Sequence, residues 1–239
     1  MVPGMADSPN PYAPPTADEV FAPEIGEYTF QPSAGLSIAL RWMLGISAGL
    51  VLISLGSDVM QLDLLGRMQS GGSWTNAEAV ANDRRVGLLA VGRLLLLLAT
   101  AIVWCVWQSR TSKNARALGA EFMEFGPNAW GWFACPVYNL WRPLQVINEL
   151  WRVTSPADDG YDPPPSWFYA WWIPWLLASA AGQIATRLVS DTATLGQLIF
   201  STQLSTVSDF LLAVSGVAAI AMIKQISQRE HARAARLQS

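Results

Sequence analysis

The feature that most constrains this chain is a set of long apolar stretches that are almost free of charged side chains. Four of them, at about 36–62, 86–107, 167–189 and 207–226, are each long enough for an α-helix to cross a bilayer. In lipid, a helix satisfies its own backbone hydrogen bonds, which an irregular segment cannot do. We therefore predict an all-α, polytopic membrane protein with about four transmembrane helices.

The overall composition agrees with a membrane domain. Hydrophobic residues make up 51% of the 239 residues and charged residues only 14%, against about one quarter charged in a soluble domain. The basic residues are scattered rather than gathered in a stripe, so we do not predict nucleic-acid binding.

Two tails flank the predicted membrane domain at 35–228. Residues 1–34 contain seven prolines and five acidic residues but no Lys or Arg. Such a segment buries too little apolar surface to offset its ordering entropy, so we predict a disordered cytoplasmic tail. Residues 229–239 are predicted to form a basic cytoplasmic tail.

The segment at 129–152 differs from the four spans. Its aromatic run is too short to cross a bilayer, and Pro136 and Pro143 interrupt any long helix. From Leu140 onward, apolar residues recur at helical spacing with polar residues between them. This predicts an amphipathic helix at the membrane surface, and leaves open whether the preceding run is interfacial or shallowly re-entrant.

The distribution of basic residues predicts the orientation. With four spans, both termini and the segment between the second and third spans share one side, which holds ten Lys and Arg against four on the other. The positive-inside rule places that side in the cytoplasm. Eleven of the twelve tryptophans also fall near it, which predicts a broad aromatic platform at that interface.

Charged residues in or beside the spans predict two ion pairs. Arg93 lies roughly 10 Å inside the second span, where a charge needs a partner. We predict that Arg93 pairs with Asp58 and that Arg187 pairs with Asp209. The pairs would lock the order of the helices or, alternatively, line a polar cavity for an ion, a proton or a small polar ligand.

Two sequences have the form of a capping box, in which a Thr and an acidic residue three positions later satisfy the first N–H groups of a helix. Thr75 and Glu78 predict a helix start before the second span, and Thr206 and Asp209 predict one before the fourth. Residues 190–205 would then extend the third span or return along the surface.

Several residues of the central segment are candidates for interaction. They are Trp130, Trp132, Pro136, Asn139, Trp141, Arg142, Pro143 and Trp151. We expect Asn139 to hydrogen-bond backbone groups that the prolines leave free. The alternative is that Arg142 and the tryptophans contact a lipid headgroup or a partner.

No catalytic, cofactor-binding or metal-binding residues are predicted. His231 is the single histidine, so no His-based triad or multi-His metal site can form. No Gly-rich phosphate loop is present. Cys105 and Cys135 lie in unrelated settings and do not suggest a disulfide framework.

The motifs of the central region carry a resemblance. They are Lys113-Asn-Ala-Arg-Ala-Leu-Gly119, Ala129-Trp-Gly-Trp-Phe-Ala-Cys-Pro136, Asn139-Leu-Trp-Arg-Pro143 and Glu149-Leu-Trp151. This pattern resembles the bacterial membrane family catalogued as domain of unknown function 4328, over about residues 36–226. The resemblance implies a four-span protein of the bacterial inner membrane, and it implies no reaction.

The sequence supports three functional hypotheses. The first is an interaction protein, such as a scaffold, a sensor or an accessory subunit, which contacts lipids and a protein partner or a second copy of the chain. The second is a small transporter or channel-like subunit, for which Asp58, Arg93 and Gln183 would line a water-filled cavity. The third and least favoured is a membrane enzyme acting on lipid.

Overall fold

The computed structural model describes residues 28–120, 122–156, 162–190 and 192–237, and the regular structure of these residues is helical throughout. The predicted tail therefore lies outside the described residues up to position 27. The α-helices are α1 (Ala34–Gln69), α2 (Asn76–Ala117), α3 (Arg142–Val153), α4 (Tyr169–Leu188) and α5 (Leu195–Leu237). Short 3-10 helices occupy Ala129–Ala134, Tyr138–Leu140 and Ser166–Phe168.

Three of the helices, α1, α2 and α5, are long and apolar enough to cross a membrane. This confirms the all-helical fold and the membrane-spanning character that the apolar stretches predict. Helix α4 occupies the third predicted span and is not one of the three. The last helix also continues through Leu237, into the segment predicted as a basic tail.

One of the two predicted capping boxes is confirmed and the other is wrong. At the start of α2, the Thr75 hydroxyl accepts from the Glu78 N–H and the Glu78 carboxylate accepts from the Thr75 N–H. Thr206, by contrast, lies in the middle of α5, where its hydroxyl bonds the Thr202 carbonyl. Helix α5 begins eleven residues earlier, at Leu195.

A different capping box precedes α5. The Thr194 N–H donates to the Gln197 amide oxygen at 2.8 Å, and the Gln197 N–H donates back to the Thr194 hydroxyl at 3.3 Å. Gln replaces the acidic residue of the motif and performs the same task. Residues 195–205 therefore belong to the last helix and neither extend the third span nor return separately along a surface.

Helices α4 and α5 form an antiparallel pair joined by three serines. The hydroxyls of Ser201, Ser208 and Ser215 donate to the carbonyls of Ala185, Ala178 and Trp171, at 3.0, 2.9 and 2.8 Å respectively. The spacing is seven residues on both helices, so one face of α5 follows one face of α4 for two heptads. Small residues allow this close approach of two helices.

Helix α5 is central: α4 packs along one side of it, α1 packs along another, and α2 packs mainly on α1. The most densely buried core lies toward one end of this bundle. There Trp107, Ile147, Leu150, Met222 and Ile226 are almost completely buried. The apolar stretch of α2, by contrast, exposes nearly all of its side chains.

Residues 122–153, which we call the cap, cover that end of the bundle. The apolar side chains of Val146, Ile147, Leu150 and Trp151 on α3 are buried in the core cluster. The predicted amphipathic helix is therefore present, but its apolar face contacts the protein itself. Leu140, which we had assigned to the same face, belongs to a separate 3-10 turn and is 55% exposed.

Candidate functional site

A carboxylate on α3 holds two parts of the cap together. The Glu149 side chain accepts hydrogen bonds from the backbone N–H groups of Glu124 (2.6 Å) and Phe125 (3.1 Å). Burial raises the pKa of Glu149, and these two bonds and the charge of Arg116 oppose the rise. The loop at 122–128 is thus held against α3 by an acid that sits in a partly desolvated setting.

Arg142 has its interactions inside the cap. Its guanidinium donates to the Glu124 carboxylate at 2.6 Å. It also lies over the rings of Phe125 and Trp132, at 5.3 and 5.7 Å from their centroids, within cation–π range. Arg142 therefore stabilises the shape of the cap instead of pointing outward to a partner.

Two arginines of α5 attach the cap to the bundle. Arg229 lies 3.8 Å from the centroid of the Trp151 ring, pairs with Asp162 at 2.6 Å and donates to the Trp151 carbonyl. Arg233 donates to the carbonyls of Val153, Ser155 and Leu118. Arginines that satisfy the last carbonyls of a helix stabilise its C-terminus, so this end of α5 joins the ends of α2 and α3.

A buried polar node holds the chain just before α1. The Glu230 side chain is fully buried and accepts from the Ser33 hydroxyl (2.9 Å) and the Asn114 amide (2.5 Å). The Asn114 side chain also bonds both backbone groups of Gln31, at 2.9 and 2.6 Å. Residues 31–33 are thereby tied to α2 and α5 at the cap end.

The sequence analysis missed this node. Glu230 lies among arginines in a segment that we had predicted to be a tail, and nothing in its immediate spacing marks it as buried. Burial raises the pKa of Glu230, and the bonds from Asn114 and Ser33 oppose that effect. The available signal was Asn114, which belongs to the motif that carries the family resemblance.

The tryptophans that we predicted to form a platform divide into buried and exposed groups. Trp104, Trp171, Trp172 and Trp175 contact one another and Phe133 through ring centroids 4.9–6.2 Å apart. Such aromatic contacts belong to a packed core. An exposed group remains on the cap, and we call it the exposed cap surface: Phe122, Trp130, Val137, Tyr138, Leu140 and Trp141.

The candidate residues of the central segment have different environments. Trp130, Pro136 and Trp141 are exposed, whereas Pro143 and Trp151 are buried. Trp132 is half-buried beneath Arg142. Asn139 is half-buried, and no described residue donates a hydrogen bond to its buried amide oxygen. The role expected for Asn139 in satisfying backbone groups is therefore not seen.

The intramembrane ion pairs predicted from the sequence are wrong. Arg93 pairs with Asp209 through both guanidinium nitrogens, one of them at 2.6 Å, and also bonds the Ser54 hydroxyl. Asp58 accepts instead from the Thr206 hydroxyl at 2.9 Å. Arg187 is exposed at the end of α4. Helix α5 is continuous from Leu195, so Asp209 lies well inside the helix and not beside the loop before it. There Asp209 faces α1 and α2.

Further polar contacts lie between the Arg93–Asp209 pair and the loop that connects α1 to α2. Arg85 donates to the Ser57 hydroxyl and to the Asn82 side chain, and Gln61 donates to the Thr202 hydroxyl. Two grooves on the described surface, one beside α2 and one within the cap, are lined by none of Asp58, Arg93 and Gln183. Within the described ranges, no three His, Cys, Asp or Glu side chains cluster as metal ligands.

A family comparison decides the identity of the domain. The family model of the domain of unknown function DUF4328 matches residues 71–228. The chain belongs to the DUF4328 family. No curated protein and no solved structure matches the chain.

Residues of the motifs that carry the resemblance hold segments together at the cap end of the bundle. Asn114 holds residues 31–33, Glu149 holds the loop at 122–128, and Trp151 lies under Arg229. The motifs that carry the resemblance therefore include residues whose contacts shape the cap end of the bundle.

Proposed function

We propose that this chain is a multi-pass protein of the bacterial inner membrane that acts through a protein contact, as a scaffold, a sensor or an accessory subunit. The observation that carries this proposal is the exposed cap surface on a firmly fastened segment. Four of its members lie within residues 137–141, and their side chains are 40–63% exposed. Contiguous exposed apolar side chains on an ordered framework are typical of interaction sites.

The fastening of the cap supports an interaction role. Glu149, Arg142 and Arg229 each make several contacts that hold the backbone around the exposed cap surface. A surface that is ordered before binding loses less conformational entropy when a partner docks. Tyr and Trp are also the side chains that most often dominate protein interfaces.

The transporter hypothesis has less support. It requires Asp58, Arg93 and Gln183 to line a cavity, whereas Arg93 is paired directly with Asp209 and Ser54. We also propose that the chain has no enzymatic activity, because the half-buried carboxylate of Glu149 and the buried carboxylate of Glu230 are occupied by hydrogen bonds within the protein.

We further propose that α4 is a fourth crossing, with both termini in the cytoplasm. The serine contacts place α4 beside α5 from Ala185 to Trp171, about 21 Å of helix length. The 20 residues of α4 correspond to about 30 Å, the thickness of a hydrocarbon core. A helix held against a spanning helix over this length shares its depth in the membrane.

Photocrosslinking in native membranes tests the interaction role. A photoreactive phenylalanine analogue replaces Tyr138 or Trp141 in separate variants, and Trp42, which is 71% exposed on α1, serves as the matched control position. We expect a discrete protein adduct at the two cap positions and none of the same mass at position 42. Adducts to lipid alone at the cap, or identical protein adducts at all three positions, would contradict a cap-specific partner.

A further inference from the structure

A groove of about 430 Å³ lies at the cap end of α2, outside the exposed cap surface apart from Trp130. One wall is the chain just before α1, including Tyr28 and Thr29, and the opposite wall is α2, including Ser109, Arg110 and Lys113. Its volume lies within the range of small-molecule sites. The groove is open to one side and is not a sealed void.

The groove exists because the buried polar node positions its first wall. Asn114 bonds both backbone groups of Gln31, and Glu230 bonds Ser33, so residues 31–33 cannot leave α2 without breaking buried hydrogen bonds. A buried polar group that loses its hydrogen-bond partner destabilises the folded state. The wall is therefore built into the fold.

The charged side chains that line the groove are positive, and no described carboxylate compensates them. Arg110 and Lys113 lie three residues apart on α2, and no carboxylate of the described residues lies within 4 Å of either. Other basic residues at this end, Arg142 and Arg229, have acidic partners. Among the residues that the structure describes, no Asp or Glu lines the groove. Two unpaired cations in a concave site attract an anion.

The groove also continues into an apolar stripe on α2. Leu95, Leu98, Ile102 and Val106 follow one another at spacings of three and four residues, and their side chains are 43–66% exposed. The same helical face continues to Lys113. From Leu95 to Val106 the stripe is about 16 Å long, close to half of a hydrocarbon core.

We propose that this groove binds the headgroup of an anionic phospholipid. Arg110 and Lys113 contact the phosphate, the hydroxyls of Thr29 and Ser109 donate hydrogen bonds, and an acyl chain lies along the α2 stripe. The aromatic rings of Tyr28 and Trp130 stand at headgroup depth, where amphipathic rings are favoured. A soluble phosphate ligand would use the cations but would gain nothing from the stripe.

Native mass spectrometry of the full chain, released from detergent, tests this proposal. The probes are phosphatidylglycerol, phosphatidylcholine and inorganic phosphate. The test variant is Arg110→Gln with Lys113→Gln. The control is Arg152→Gln with Lys224→Gln, which removes one Arg and one Lys that are exposed and do not line the groove.

We expect the full chain to retain phosphatidylglycerol in preference to phosphatidylcholine. The test variant should lose on the order of tenfold in that preference, since each basic residue near a membrane surface contributes measurably to attraction. The control should keep it. The single change Lys113→Gln, at an exposed position, should show a smaller loss and guards against a folding defect in the double variant.

Three results would overturn the proposal. Equal retention of the two lipids would show that charge is not recognised. An equal loss in the control would show general surface attraction instead of a site. Displacement of phosphatidylglycerol by millimolar inorganic phosphate would assign the groove to a soluble phosphate and not to a lipid.

Discussion

At the scale of single residues, the structure concentrates its specificity in a few buried polar groups. Asp209 is almost fully buried and faces Arg93, whose side chain is 31% exposed. A buried charge is strongly unfavourable unless it is paired and hydrogen-bonded, so each partner here depends on the other. The pair also selects one arrangement of α1, α2 and α5, because Ser54 joins it from α1.

Removing the charge of Asp209 alone should therefore lower the free energy of unfolding more than replacing both Arg93 and Asp209 with apolar residues. We expect Asp209→Asn to lower the free energy of unfolding in detergent by about 3 kcal/mol. The double variant Arg93→Met with Asp209→Leu should recover much of the loss. Equilibrium unfolding of the purified protein measures both. A loss from Asp58→Asn as large as that from Asp209→Asn would instead favour the Asp58 pairing that the sequence suggested.

The position of Arg93 could be predicted from the sequence, but its partner could not. Arg93 and Asp209 lie about 25 Å and 21 Å along their helices from the starts of α2 and α5, respectively, so they meet at similar depth. That depth follows only once α5 is known to begin at Leu195. Placing a helix start at Thr206 moved Asp209 to a helix end and so gave it the wrong partner, Arg187.

Glu230 should make stability depend on pH. Its pKa is raised by burial, so its protonated form is favoured in the folded state. The stabilisation is fully present below the pKa of the unfolded chain and is lost as pH rises through the folded pKa. We expect the melting temperature to fall as pH rises above the ordinary pKa range of a glutamate, and to fall less in Glu230→Gln. Equal slopes in the two proteins would contradict this assignment.

At the scale of elements, the α4–α5 pair is the clearest helix contact. Three serine hydroxyls at heptad spacing bond carbonyls of the neighbouring helix, and Gly182 faces Ser208 with room for no more than a small side chain. Hydrogen bonds between membrane helices contribute about 0.6 kcal/mol each on average.

Larger side chains at the α4–α5 contact should destabilise the protein more than the loss of a serine hydrogen bond. We expect Ser208→Ala to cost about 0.6 kcal/mol, and Gly182→Leu or Ser208→Leu to cost several times more because the helices must separate. Gly49→Leu is the control, since a side chain there meets nothing within 4 Å. Thermal unfolding in detergent compares the variants. A tolerated Gly182→Leu would show that α4 is not held closely against α5.

Helix existence could be predicted here more easily than helix ends and contacts. The apolar stretches located α1, α2 and α5, and the Thr75–Glu78 box located the start of α2. The start of α5 was missed because its box uses Gln197 in place of an acid. The amphipathic period of α3 was correctly read, but periodicity cannot say whether an apolar face meets lipid or protein, and here it meets the core.

At the scale of the whole molecule, the two ends of the bundle differ. One end carries the cap, the aromatic core and the buried polar node, and the other end has only short connections after α1 and α4. Lys and Arg are more numerous at the cap end, which faces the cytoplasm in the orientation we propose from the positive-inside rule. The proposed orientation requires α4 to cross the membrane, because that crossing puts both termini and the cap on one side.

Cysteine accessibility in intact cells tests that claim most directly. In a background of Cys105→Ser and Cys135→Ser, single variants Ser73→Cys, Tyr138→Cys and Thr192→Cys place thiols at three exposed sites. Four crossings predict that a membrane-impermeant maleimide labels positions 73 and 192 from outside, and position 138 only after permeabilisation. Protection of position 192 in intact cells, with position 73 still labelled, would show that α4 does not cross and would contradict the account.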